Sequence, residues 1–198
     1  MTQLSDKNWK AFDIENIFPI LHRGVRLRGI DRKPGNFRFI SATTKDHGIV
    51  DLIEVPSGIE IFSHCLTLTI SGTTAGVFYH PYPFVPSDRV IVMKSDQFSK
   101  NVYLFLAVAV QKSTQSRDFT KEINNRRLRN LKINLPVNDE EKPDFLFMEQ
   151  FIEWRIITSS AKPEKRIVAH KASIMRVCNF LWAARSRLID VGGDSVTK

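Results

Sequence analysis

Basic side chains gather at two places along the chain, and their chemistry suits the binding of a polyanion. The first group comprises Arg23, Arg26, Arg28, Arg32, Lys33 and Arg38, and the second comprises Lys112, Arg117, Lys121, Arg126, Arg127, Arg129 and Lys132. Arginine predominates in both groups, and its guanidinium is a planar fork that grips a phosphate or a guanine edge through two hydrogen bonds. The two groups therefore favour contacts to nucleic acid, and a pair of solvated faces is the alternative.

The overall charge points in the same direction. The chain has 198 residues, with 29 Lys and Arg against 21 Asp and Glu, which gives a net charge of +8. A basic chain with clustered cations has the electrostatic character of a nucleic-acid-binding protein. A basic interaction protein that docks on an acidic partner is the alternative. A hydrophobic share of 42% is enough for a sizeable core.

No set of residues with the spacing of a catalytic or metal site is found. The stretch 71–76, Ser-Gly-Thr-Thr-Ala-Gly, lacks the lysine of a phosphate-binding loop and is typical of a tight turn. His64 adjoins a cysteine, but no second Cys/His pair follows at zinc-site spacing. We therefore expect no catalytic residue, no metal and no cofactor. A small metal-dependent nuclease that uses Asp139, Glu140 and Lys142 is the alternative enzyme hypothesis.

The pattern of apolar residues predicts short strands and turns up to residue 93, a buried helix over 101–112 and a strand over 131–135. Asp144 is suited to cap a helix that ends near residue 159, and a second helix is expected over about 163–191. The predicted fold class is α/β (α+β), with a mixed, largely antiparallel sheet and short helices followed by C-terminal helices. The predicted domains are residues 1–143 and 144–198.

The second predicted tail helix has apolar residues at heptad spacing. The apolar residues are Ile167, Ile174, Val177, Leu181, Ala184 and Leu188, and the polar His170 occupies one further position of the same seam. Such a seam favours pairing with another helix, and packing on the helix's own domain is the alternative.

The chain has neither an apolar leader nor a run long enough for a membrane span, since the longest apolar run covers only residues 103–110. Two cysteines, Cys65 and Cys178, cannot build a disulfide framework, and their apolar surroundings suit buried, reduced thiols. We expect a soluble, cytoplasmic protein without a membrane partner.

An ordered series of segments resembles the target-recognition domains of restriction–modification specificity subunits, of type I and of the related type IIB systems. The resemblance covers about residues 9–155 and is clearest at Leu68–Tyr79. It is carried by Trp9–Phe12, Ile17–Phe18, Gly24–Arg26, Phe39–Thr43, Asp46–Ile49, Leu68–Tyr79, Pro83–Phe84, Asp88–Val90, Leu104–Ala107, Arg127–Pro136, Pro143–Phe145 and Phe147–Glu149.

The resemblance implies a non-catalytic module that reads half of a bipartite site in double-stranded DNA for a methyltransferase subunit, with a restriction subunit as a further candidate partner. Family members typically have two recognition domains, whereas this chain has room for one. We expect a half-size subunit that forms a homodimer through its C-terminal helices, and the specificity subunit of a type IIB enzyme or a truncated product are the alternatives. The stretch 159–163 interrupts the single long spacer helix that the family implies. The expected DNA contacts are Arg23, Arg26, Arg28, Lys33, Lys45, Ser71, Thr73, Lys121, Arg126 and Arg127.

Overall fold

The structure, a computed structural model, describes residues 3–70, 76–115 and 128–160. The chain divides into two compact units, one formed by residues 11–134 and the other by residues 1–10 together with 135–198. The second predicted tail helix and Cys178 lie outside the described residues.

The described elements are mostly short strands, with two longer helices. The strands are β1 Trp9–Asp13, β2 Ile20–Arg23, β3 Pro34–Ile40, β4 Ile49–Ile53, β5 Cys65–Thr69, β6 Val77–His80, β7 Phe84–Pro86, β8 Val90–Lys94 and β9 Lys132–Pro136. The helices are α1 Ile14–Ile17, α2 Lys100–Gln115 and α3 Phe145–Ser160, and short 3-10 turns lie at Leu4–Asp6, Gly29–Asp31 and Lys45–Gly48. None of the described helices has the length and apolarity needed to cross a bilayer.

The larger unit contains a four-stranded antiparallel sheet in the order β2-β8-β5-β6. Strand β5 lies inside this sheet, and every one of its residues is buried, including Thr67 and Thr69. The alternation of threonine with leucine in this strand predicts one covered face and one polar face. Both faces are covered here, because α2 packs against β5 and β6. Each leucine buried in such a strand contributes roughly 1.5–3 kcal/mol of stabilisation.

A second sheet of three strands, in the order β4-β3-β7, has apolar residues on both faces. Strand β3 runs antiparallel to β4 and parallel to β7. Phe39 packs with Ile53 and Val85 in one buried cluster, whereas Ile40 and Phe84 belong to another. The latter cluster includes Val90 and Val92 of β8, so it joins the two sheets of this unit. A mixed, largely antiparallel arrangement with few helices is therefore observed, as predicted.

In the smaller unit, Asp144 begins α3 as the sequence predicts. The Phe147 backbone N–H donates a hydrogen bond of 2.9 Å to Asp144 Oδ1, which satisfies a free amide of the first helical turn. The other carboxylate oxygen of Asp144 lies 2.6 Å from Lys7 Nζ, and Lys7 also lies over the Phe147 ring. These contacts fasten residues near the N-terminus to the start of α3.

The helix ends differ slightly from those that the sequence predicts. Helix α2 continues to Gln115, three residues beyond the predicted end at Lys112, so residues 113–115 are helical rather than part of a loop. Helix α3 includes Ser159 and is described as far as Ser160. Serine lowers helix stability only modestly relative to leucine, and tertiary packing readily overrides such a preference.

Candidate nucleic-acid interface

A tight turn over residues 87–89, between β7 and β8, connects segments that are distant in sequence. The Ser87 backbone N–H donates to the Ile40 carbonyl at 2.8 Å, and its buried hydroxyl donates to Ser41 Oγ at 3.1 Å. The Asp88 backbone N–H donates to the Val25 carbonyl at 2.9 Å. The segments that follow β2 and β3 therefore meet at this turn.

The base of the β5–β6 hairpin lies at the same turn. The Ile70 backbone N–H donates to the Arg89 carbonyl at 3.0 Å. Thr69 and Gly76 exchange two hydrogen bonds, from Thr69 N to the Gly76 carbonyl and from Gly76 N to Thr69 Oγ1. Ile70, which precedes the predicted turn at 71–76, is thus held beside Arg89, and Gly76, the last residue of that turn, is held to Thr69.

Gly24 allows the backbones to approach one another closely. A β-carbon at this position would lie 2.2 Å from the Pro86 carbonyl oxygen and 2.4 Å from that of Ser87. Only a residue without a side chain fits between the end of β2 and the turn. Arg23 therefore precedes this close backbone contact, and Arg26 follows it.

Four cations lie on the segments that meet at the turn, and we refer to them as the turn cluster: Arg23, Arg26, Lys45 and Arg89. All four are exposed. Arg23 Nε donates to the Asp88 carbonyl at 2.7 Å. Arg26, Lys45 and Arg89 form no ion pair with any residue that the structure describes. Their charges are therefore available to an anionic ligand, while the buried hydrogen bonds around Ser87 hold the backbone that carries them.

The loop that carries Lys45 has an unusual backbone. Asp46, His47 and Gly48 adopt positive φ angles of 46°, 54° and 89° in succession. Left-handed backbone is rare outside glycine, and it is commonest for short polar residues such as Asp and His. The His47 ring packs edge-on against Phe78 at 5.5 Å, and the Ser41 N–H donates to the Gly48 carbonyl, which closes the loop. Sparsely populated backbone of this kind clusters at ligand-binding sites.

Two further predicted contacts, Arg28 and Lys33, are not members of the turn cluster. Lys33 precedes β3, which is seven residues long, so about 20 Å of strand separates it from Ser41. Asp31 binds Arg28 through two hydrogen bonds of 2.7 and 3.0 Å. These bonds raise the pKa of Arg28 and lower the pKa of the Asp31 carboxyl. The first basic group is therefore divided in space.

The remaining predicted contacts, Ser71, Thr73, Lys121, Arg126 and Arg127, lie outside the described residues. Two other members of the second basic group are neutralised, since Arg129 pairs with Glu15 at 3.2 Å and Lys132 with Asp13 at 3.6 Å. Arg89, which lies on the turn over residues 87–89, is not among the contacts expected from the sequence. Arg89 stands alone in the sequence, and only the tertiary hydrogen bonds of its turn reveal its neighbours.

The carboxylates of the nuclease hypothesis lie in an exposed loop. Asp139, Glu140 and Lys142 are all exposed, and Lys142 Nζ donates to Glu140 at 2.8 Å. Within residues 3–70, 76–115 and 128–160, no three His, Cys, Asp or Glu side chains are grouped so as to hold a metal ion. Nothing in this loop favours metal-dependent chemistry over a solvated salt bridge.

Solved structures of related architecture show the same fold. The S subunit of the type I restriction–modification system from M. genitalium has a TM-score of 0.56 at 15% identity, covering 79% of this chain and 40% of that one. The HsdS subunit from Thermoanaerobacter tengcongensis has a TM-score of 0.51 at 11% identity, covering 86% of this chain and 44% of that one. These two similarities confirm the predicted fold class.

Similarity in sequence identifies the family. The chain is 32% identical over 154 residues to the type II restriction enzyme BgcI specificity subunit S.BcgI from Heyndrickxia coagulans. That match covers 77% of this chain but 45% of the subunit, so the chain spans less than half the length of this relative. Residues 6–165 match the family described as the type I restriction modification DNA specificity domain. The chain belongs to this family, as the resemblance of its segments predicts.

Proposed function

We propose that the chain binds duplex DNA sequence-specifically and directs a methyltransferase and an endonuclease to its recognition site, without a catalytic site of its own. The observation that carries the proposal is the turn cluster, whose four cations are exposed and stand on a hydrogen-bonded backbone. Three of them, Arg26, Lys45 and Arg89, have no acidic partner among the described residues. Such a surface attracts an anionic ligand, and the phosphate backbone of DNA is one.

The arrangement also suits sequence readout. The buried Ser87 and the close contact at Gly24 restrict the backbone before any ligand arrives, which lowers the entropic cost of binding. Arg26 and Arg89 can each direct a guanidinium fork at a guanine edge or a phosphate. Lys45 offers a point charge, which suits a phosphate contact.

The site that we propose joins the turn cluster to the contacts expected from the sequence. Arg23, Arg26, Lys45 and Arg89 form its centre. The outlying members are Arg28, Lys33, Ser71, Thr73, Lys121, Arg126 and Arg127. Ser71 and Thr73 follow directly from Ile70, whose backbone is bonded to Arg89.

The proposed organisation is a recognition domain over residues 1–143 followed by a helical spacer over 144–198. The match covers 45% of the S.BcgI subunit, and we propose that the single recognition domain of this chain reads half of a bipartite site. We propose that two copies pair through their C-terminal helices and hold a methyltransferase subunit, with a restriction subunit as a further partner. We also propose a cytoplasmic location, where the chain would meet cellular DNA.

The direct test is selection from a pool of random duplexes with the full chain, alone and with the methyltransferase subunit. We expect enrichment of one sequence and an affinity that falls steeply as salt rises, by a logarithmic slope of about 0.9 for each phosphate contacted. A bound pool without enrichment contradicts sequence-specific binding. Affinity that hardly changes with salt favours a basic interaction protein instead.

A mass measurement in solution tests the dimer. We expect twice the chain mass of 22.7 kDa for the full chain. Val177→Asp and Leu181→Asp together place charge in the heptad seam, and we expect this double variant to be a monomer. A monomeric full chain, or a dimer that the double variant leaves intact, contradicts pairing through the C-terminal helices.

A further inference from the structure

Arg38, in the middle of β3, is an arginine that the turn cluster does not include. Its guanidinium carbon lies 4.0 Å from the centre of the Tyr82 ring. Arg28 and Arg32 each have an aspartate partner at 3.0 Å or less, whereas Arg38 has no acidic partner within the described part of the chain. The fork of Arg38 is therefore supported on one face, and its charge is not neutralised.

Tyr82 is itself held by a chain of hydrogen bonds that leads into the core. The Tyr82 hydroxyl lies 3.2 Å from His80 Nδ1, and His80 Nε2 lies 2.8 Å from Thr67 Oγ1. His80 and Thr67 are completely buried, and the His80 ring also packs against Phe84 at 4.8 Å. A neutral imidazole has one donor and one acceptor nitrogen, so it can bond to both hydroxyls at once. The ring under Arg38 is thus anchored to strand β5.

The backbone of Arg38 is equally well fixed. Arg38 is paired with Leu52 of β4 on one side and with Phe84 of β7 on the other. Both ends of its side chain are held, the α-carbon by the sheet and the guanidinium by the tyrosine. A guanidinium that lies over a ring keeps its N–H donors at the edge, where they can meet a second partner. Little rotational freedom remains to be lost when a ligand binds.

Arg38 lies at a position along β3 from which it could contact the same half of a recognition site as the turn cluster. Ile40, whose carbonyl receives the Ser87 hydrogen bond, is two residues further along, or about 7 Å. That length corresponds to roughly two base pairs of B-form DNA. Arg38 is thus within the span of a short recognition sequence.

We propose that Arg38 reads a guanine edge in the recognition sequence and that Tyr82 is its positioning residue. The inference rests on the proposed function, since it assumes that the chain binds duplex DNA. A guanine edge is proposed because a fixed, planar fork matches the two acceptors, N7 and O6, that guanine presents in the major groove. A phosphate can also accept two hydrogen bonds from an arginine, so a phosphate contact is an alternative outcome of the test.

The test repeats the random-duplex selection with full-length Arg38→Lys, which keeps the charge and loses the fork. Discrimination is then measured as the ratio of Kd values between the enriched duplex and duplexes in which each guanine is replaced in turn. We expect Arg38→Lys to lower this ratio about tenfold or more at one guanine and to leave the others unchanged. Arg129→Lys, an exposed arginine already paired with Glu15, is the matched control and should leave all ratios unchanged.

Tyr82 variants test the positioning role. Tyr82→Phe keeps the ring and removes the bond to His80, so we expect a smaller loss at the same guanine. Tyr82→Leu removes the ring, so its loss at that guanine should approach that of Arg38→Lys. Urea unfolding of each variant checks that the fold is kept.

The outcomes separate the two proposals. A wild-type chain that enriches no sequence overturns the proposed function and this inference with it. A wild-type chain that enriches a sequence, beside an Arg38→Lys variant with unchanged ratios at every guanine, overturns the inference alone. A uniform loss of affinity for all duplexes, with no guanine affected more than the others, identifies a phosphate contact and likewise overturns the guanine assignment.

Discussion

The Asp31 carboxylate accepts two hydrogen bonds from the Arg28 guanidinium, from Nε at 2.7 Å and from Nη2 at 3.0 Å. Arg26, two residues earlier, is exposed and has no such partner within the described residues. The two arginines are equivalent in the sequence pattern, yet only one of them presents a free fork. An anionic ligand must displace Asp31 before it can use Arg28 in the same way.

This difference predicts unequal effects on DNA binding. We expect Arg26→Ala to weaken binding about tenfold at low salt and to reduce the logarithmic salt slope by roughly one, as the loss of one phosphate contact does. Arg28→Ala should weaken binding less than about threefold under the same conditions. Fluorescence anisotropy over a salt series measures both effects.

Asp31→Asn provides the complementary variant. It releases Arg28 and removes one negative charge, so we expect tighter binding and a steeper salt dependence than in the wild-type chain. A larger loss with Arg28→Ala than with Arg26→Ala contradicts the assignment of the free fork to Arg26.

The sequence predicts the elements well because their signals are local. Alternating or continuous apolar runs mark the strands, and Asp144 before an apolar stretch marks the start of α3. These signals depend on residues only a few positions apart. The convergence at residues 87–89 has no such signal, since it joins residues that are about 20 to 60 positions apart in sequence through backbone hydrogen bonds. Arg89 is therefore not identified from the sequence. Arg23 and Lys45, which also belong to the turn cluster, are identified because Arg23 lies in a basic group and Lys45 in a loop-like segment.

The division of the first basic group has the same cause. Its members share a charge and a stretch of chain, so the sequence places them in one group. Strand β3 instead occupies residues 34–40, which places Lys33 at one end and puts Arg38 inside the sheet. A strand carries neighbouring residues apart by about 3.3 Å for each position, so proximity in sequence does not ensure proximity in space.

The start of α3 should depend on the Asp144 side chain. Asp144→Ala removes both the cap on Phe147 N–H and the ion pair with Lys7, and we expect the free energy of unfolding to fall by about 1–2 kcal/mol. Asp144→Asn keeps a cap and loses the ion pair, so its cost should be smaller. Urea unfolding followed by circular dichroism measures these changes.

Asp139→Ala is the matched control for this experiment. Asp139 is exposed and has no partner among the described residues, so its replacement should change stability by less than about 0.5 kcal/mol. Equal effects at positions 139 and 144 contradict the capping role of Asp144.

His80 should make stability depend on pH in a mildly acidic range. Burial lowers the pKa of His80 from 6.5 to about 4. Between these values the unfolded chain binds a proton that the folded chain does not, so stability is greatest above pH 6.5 and is lost as the pH falls towards 4. The contribution of this group across the window is about 3 kcal/mol at most.

Urea unfolding at pH 7, 5.5 and 4.5 measures this dependence, and His80→Gln is the test variant. Glutamine retains a donor and an acceptor but does not titrate, so the free energy of unfolding should change less over this range than in the wild-type chain. The buffers stay above the pH at which the carboxyls of Asp6 and Asp31 titrate, because both pKa values are lowered from 3.8. Identical pH profiles for the two chains contradict a buried, neutral His80.

Cys65 should be nearly inert towards thiol reagents in the folded chain. It is completely buried in β5, and burial raises its pKa from 9.0 to about 12. Because the thiolate is the reactive form, a shift of this size lowers the reactive fraction by roughly a thousandfold at pH 8. Cys178→Ser leaves Cys65 as the sole thiol, and we expect this variant to react with an aromatic disulfide at least a hundredfold more slowly when folded than in urea. If the folded and unfolded variant reacted at similar rates, Cys65 would be accessible from solvent and the packing of β5 between α2 and its neighbouring strands would be wrong.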